Sequence, residues 1–139
     1  MRAAAVFLAI APLLGGCAMS LAREHPLYCP LGEQRLVRDA LYFGLTRPGG
    51  GAIAEDEWRA FVDEKLAVVF PNGFTIVDAT GQWRGADGAI VREPSRLVIV
   101  LHADEPASEH GIADVIHAYR TRFAQESVLR ERAAVCATF

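Results

Sequence analysis

Residues able to do chemistry are few and scattered along this chain. Its histidines are His25, His102, His110 and His117. His110 and His117 are seven apart, so they share one face of a helix, with Glu109 and Asp114 nearby. A zinc site asks for about four ligands of firm geometry. The pair is therefore expected to be solvated, and neither a metal nor a cofactor is expected. No Gly-x-Ser-x-Gly turn occurs, and Ser95 and Ser127 lie beside strands with no evident base. A serine paired with His102 has only rough geometry in its favour. Gly49-Gly50-Gly51 leads into a helix, but Glu55, Asp56 and Glu57 fill its first turn and disfavour an anion there. A flexible loop is the expectation.

Two polar groupings remain. Trp83, Arg84, Arg92 and Glu93 gather around a hairpin at one sheet end. Arg84 and Glu93 are expected to pair across the strands; the alternative is a Trp-Arg surface that recognises a ligand or partner. Thr46, His102, Gln125, Glu126 and Ser127 are expected at the other end. There Glu126 beside His102 would make an acid–base pair. The blander reading, which we adopt, has Gln125 and Glu126 bonding loop backbone at the turn into the last strand.

The elements that must position these residues follow from periodicity. Asp39–Leu45 is aromatic and aliphatic and stops at Arg47-Pro48-Gly49, which marks a strand. Trp58, Phe61, Val62, Leu66 and Val69 form one apolar stripe of a helix over 55–70, ended by Pro71-Asn72-Gly73. A second strand is expected over 74–84, a two-residue hairpin at Asp87-Gly88, and a third strand over 90–102 interrupted at Pro94. A helix over 108–124 carries Ile112, Val115, Ile116, Tyr119 and Phe123, and a last strand covers 127–137. The order βαββαβ is that of the ferredoxin-like α+β sandwich. Right-handed crossovers place both helices on one face of an antiparallel four-stranded sheet of order 4-1-3-2.

The other sheet face is then bare. With Leu41, Phe43, Leu45, Leu97, Ile99 and Leu101 turned to the helices, Tyr42, Val98 and Val100 face away, joined by Val77 and Trp83. A solvated face should alternate to polar residues, and an apolar one marks a contact. Sheet-to-sheet homodimerisation is the expected use. A groove for a small apolar ligand, or the N-terminal segment folded back, would also fit.

The same topology brings the end of strand 4 beside the entry to strand 1. Cys136 thus lies near Cys29, and a disulfide between them is expected. The remaining cysteine, Cys17, closes the string Leu14-Gly15-Gly16-Cys17 after a short positive start and an apolar run from Ala3 to Leu14. This resembles the bacterial lipobox, in which the cysteine is acylated and becomes the new N-terminus. Residues 1–16 are expected to be a lipoprotein signal peptide, 17–35 a lipidated tether and 36–139 the domain. Ala18 is not the aspartate of the usual inner-membrane retention signal. The expected address is therefore the cell envelope, on the periplasmic face of the outer membrane.

Composition agrees with an exported small domain. The 139 residues suffice for one domain. Hydrophobic residues reach 52% and mean hydropathy +0.19, partly because of residues 1–16. The chain carries 17 acidic residues against 14 basic, with no basic block, so no nucleic-acid footprint exists. Apolar content excludes a disordered protein.

The strings LYFGL (41–45), Glu57-Trp58, GQWRG (81–85), REPS (92–95) and QESVL (125–129) resemble, in order, an uncharacterised bacterial family catalogued as domain of unknown function family 3574. The resemblance implies a small exported or lipid-anchored α+β protein and supplies no catalytic residues. One departure is Ala54, where such sequences more often carry a Ser or Thr helix cap. The expected function is a non-catalytic envelope binding module that dimerises. A small dimeric α+β-barrel enzyme acting on an apolar molecule between the sheets is the alternative. Candidate surface residues are Tyr42, Trp83, Arg84, Arg92, Glu93, Val98, Val100, His102 and Glu126.

Overall fold

The computed structural model describes residues 28–139 except Ala86. The expected signal peptide over 1–16, the expected lipidation of Cys17, His25 and most of the expected tether lie outside the described residues.

Four strands, β1 (Gln34–Gly44), β2 (Thr75–Arg84), β3 (Ile90–His102) and β4 (Leu129–Ala137), form one antiparallel sheet ordered β2-β3-β1-β4. This is the expected order read from the opposite edge. α1 (Glu55–Phe61) continues through a π-helical turn (Val62–Leu66) into a last turn, α2 (Ala67–Val69). The Ala67 N–H reaches back to the Val62 carbonyl, five residues away. That wider turn keeps Phe61 and Leu66, also five apart, both fully buried. α3 (Pro106–Phe123) begins with a proline at its first turn, where the missing N–H is harmless. Both helical pieces pack on one sheet face. Phe43 anchors the core, 4.6 Å from the Tyr119 ring and 5.5 Å from Trp58.

β1 starts five residues earlier than expected. Gln34 pairs with Ala137 and Arg35 with Cys136, so the edge of β4 draws part of the presumed tether into the sheet. The anticipated interruption at Pro94 does not occur. The Pro94 carbonyl accepts from the Leu45 N–H at 2.9 Å, so its nitrogen also faces the β1 side and the β2–β3 ladder loses nothing. The hairpin is longer than two residues, because Arg84 pairs with Ile90; Gly88 supplies the positive φ of 84° that the turn needs. The Cys29–Cys136 disulfide is present, with Cα atoms 5.4 Å apart.

The parity of β3 is the reverse of that expected. Leu41 stands opposite Val98 and Asp39 opposite Val100, so Val98 and Val100 point into the core, both essentially unexposed. Leu97, Ile99 and Leu101 occupy the bare face. An all-apolar run gives no alternation by which to choose sides, and only pairing with β1 fixes it. The bare face is nonetheless apolar, with Val77 and Leu129 also exposed on it.

Candidate functional site

The site is built at the end of the bare face where β3 outruns β1. Glu93 lies opposite Gly81 of β2, and Ser95 opposite Gly44 of β1. Two glycines therefore flank the carboxylate on the side where neighbouring strands would carry side chains. A Cβ on Gly44 would lie 2.0 Å from Glu93 Oε1, so a bare backbone at 44 is what admits the carboxylate. The Trp83 ring leans over Gly81, where an added Cβ would meet it at 3.4 Å.

Glu93 is 2% exposed. Its Oε2 accepts the Thr46 N–H at 2.8 Å. Its Oε1 has no partner, and among the described residues it is the buried side-chain polar atom left so. Burial pushes the Glu93 carboxyl above the usual range, and the bond from Thr46 offsets only part of this.

The α3–β4 turn closes the other wall. Ala124 takes a left-handed φ of 55° after α3 and redirects the chain across the sheet end. Gln125 then donates its amide to the Thr46 carbonyl at 2.9 Å, the backbone-bonding role expected of it, while Glu126, expected to do the same, lines the recess instead. The result is a recess of about 380 Å³ bounded by Tyr42, Trp83, Ser95, Gln125, Glu126 and Leu129, with Glu93 at its floor. On its flank the Tyr42 hydroxyl donates to Glu131 at 2.8 Å, and this bond raises the phenol's pKa.

Several expected groupings are rearranged. Glu93 and Trp83 join Glu126 in one recess, and His102 leaves it. His102 pairs with Val37 at the far end of β1, so no Glu126–His102 acid–base pair and no serine–His102 pair forms. The Arg84–Glu93 pair is also absent, because the register offsets them. Arg84 donates to the Gly88 carbonyl at 2.8 Å and Arg92 to Gln82 at 2.6 Å. Strand alternation puts both arginines on the opposite face from Trp83 and Glu93. His110 and His117 are exposed on α3.

Sequence reading missed a second charged cluster. Asp39 is fully buried on the helix-side face of β1. Arg130 donates to both its oxygens at 2.7 and 2.9 Å, and His102 Nε2 lies 2.7 Å from Oδ2. His102 Nδ1 lies 2.7 Å from the Ala103 carbonyl, so both ring nitrogens face acceptors. Glu109 of α3 clasps Arg130 and Arg132, and the Arg130 bond brings its pKa down to about 2. Burial opposes ionisation of Asp39, but the bonds from Arg130 and His102 outweigh it and its pKa lies below the usual range. Every oxygen of Asp39 is occupied, so this cluster ties β1, β4 and α3 together and leaves no open position for a ligand. An aspartate diagonal to an arginine on the pairing strand is the signal, since Arg130 stands opposite Leu41, and it needs the β1–β4 register to be seen.

A family model matches residues 38–139. The chain belongs to the DUF3574 family. That family is described as protein of unknown function. No curated protein matches the chain. Among solved structures, this DUF3574 member is similar to a phage SAM lyase in complex with S-methyl-5'-thioadenosine, at 16% identity and a TM-score of 0.59 over 83% of this chain and 96% of that one. CutA from Synechococcus elongatus in complex with Bis-Tris matches at 13% identity and a TM-score of 0.44, over 76% and 83% of the two chains. At such identities the likeness to the lyase concerns the fold alone.

Proposed function

We propose that this domain is a binding module of the bacterial envelope that associates with a second copy of itself through its bare sheet face. The observation that carries the reading is the apolar character of that face. Leu97 and Ile99 lie at its centre, and Leu101, Val77 and Leu129 are exposed around them. Such a patch is unusual on a domain that stays alone in water. A two-fold axis sets a patch against its own copy, and this one carries opposite charges, Arg38 on β1 and Glu131 on β4, that can meet across such an axis. The N-terminal string ending in Cys17 supports lipid anchoring, at the outer membrane where the cell has one, with two or more acyl chains giving a stable hold.

Sedimentation velocity on the purified chain tests the association. The expected result is a dimer that Ile99→Lys converts to a monomer while the circular dichroism spectrum is kept. A wild-type chain that sediments as a monomer at every concentration overturns it.

A second reading, a small enzyme acting on an apolar molecule between paired sheets, is favoured by one observation. The Glu93 recess opens on the same face, so pairing would enclose it.

A further inference from the structure

A carboxyl oxygen that is buried and unpartnered is uncommon in a folded protein, because water or a neighbouring donor normally satisfies it. Glu93 Oε1 is such an atom. A purely structural role would have supplied two donors, as Asp39 receives from Arg130 and His102. Glu93 is held by Thr46 alone, on Oε2, and Oε1 receives nothing among the described residues. The chain also gives up a side chain at Gly44 to seat this carboxylate and one at Gly81 beneath the Trp83 ring, and it places Tyr42, Trp83 and Leu129 around the recess. Glu126 adds a second carboxylate at the rim. Among the described residues, no lysine, arginine or histidine lines the recess.

The three features select one ligand chemistry. The missing partner is a hydrogen-bond donor. Two carboxylates with no counter-ion among the described residues favour a cation. The aromatic and aliphatic walls suit an apolar body, and an indole face attracts positive charge. The volume of about 380 Å³ lies at the small end of ligand sites, which limits the body to roughly one ring system or its aliphatic equivalent.

We propose that the recess over Glu93 binds a small organic ammonium ion, whose N–H donates to Glu93 Oε1 while its apolar body lies against Trp83, Tyr42 and Leu129. Oε1 is buried and Glu93 lines the recess, so the ligand's N–H reaches it once the carboxylate turns toward the recess. The site belongs to a single chain and does not rest on self-association.

The test uses 2-phenylethylammonium as the probe and uncharged 2-phenylethanol as its control. Binding is read by Trp83 fluorescence, since Trp58 is buried in the core, and by the amide resonance of Thr46, whose bond to Glu93 must change. The ammonium ion is expected to bind with a Kd on the order of 1 mM or tighter, and the alcohol about tenfold more weakly or worse. Glu93→Gln keeps the shape and removes the charge, and should lose about tenfold or more in affinity while remaining folded. Trp83→Ala, at an exposed position of an edge strand, should lose about threefold. Equal binding of alcohol and ammonium, unchanged affinity in E93Q, or no binding of the ammonium ion at all overturns the proposal.

Discussion

Two carboxylates of this domain are buried with opposite consequences. Asp39 has every oxygen engaged by Arg130 and His102 and is held ionised. Glu93 has one oxygen engaged and is pushed toward its neutral form by burial. The signs for stability follow. A carboxyl whose pKa is raised on folding stabilises the fold below its unfolded value, 4.5, and that contribution is lost as pH rises through the raised value. Glu93→Gln should therefore stabilise the free protein at neutral pH, by roughly 1–3 kcal/mol, and should flatten the decline in stability above pH 4.5. Thermal melts of both proteins between pH 4 and 8 check this. Parallel curves for the two would refute it. Glu109 behaves in the reverse sense: the stability it adds through Arg130 is present above 4.5 and fades as pH falls toward about 2.

At the scale of elements, much of the fold was legible. The apolar stripes of the helices, Trp58 to Val69 and Ile112 to Phe123, are the buried faces. Stops at Pro71-Asn72-Gly73 and Gly49-Gly50-Gly51 end elements as turn residues do. What differs is the facing of β3 and the side-chain pairings read across it, whereas the Cys29–Cys136 pairing from the β1–β4 neighbourhood holds. Leu97-Val98-Ile99-Val100-Leu101 is apolar at each position, so its inward side was undetermined until β1 paired with it. The hairpin register sets Glu93 opposite Gly81 and not Arg84, and the antiparallel β1–β3 pairing sets His102 beside Val37, away from Thr46. Part of the site is legible all the same: the candidate surface residues Tyr42, Trp83, Glu93 and Glu126 converge on one recess. The α3–β4 turn carries its own prediction. Ala124 holds a left-handed φ of 55° that strains any residue with a Cβ and suits glycine. Ala124→Gly should raise stability by about 0.5–1 kcal/mol, as read from urea denaturation with an unchanged m-value. A loss of stability would show that the residue's Cβ does more than endure the turn.

For the molecule as a whole, the disulfide is the longest-range constraint. Cys29 and Cys136 are 107 residues apart in sequence, so their bond closes a loop around nearly the entire domain. In the chain-entropy model a loop of that length adds about 4–5 kcal/mol. Cys136→Ser is expected to lose most of that in urea denaturation, while the sheet order is kept. A midpoint unchanged by the substitution would show that the bond merely reports proximity. The bond is also consistent with an oxidising compartment, as the N-terminal string suggests.

The position of that bond has a mechanical consequence. Cys29 lies just ahead of β1, and Cys136 lies within β4, the edge strand paired to it. Tension applied to the chain before Cys29 therefore does not peel β1 away from its first residue. The pull passes through the sulfur bridge into β4 as well, and both strands are loaded together. A tethered domain wired in this way resists force with two strands where an unbridged one would yield a single end.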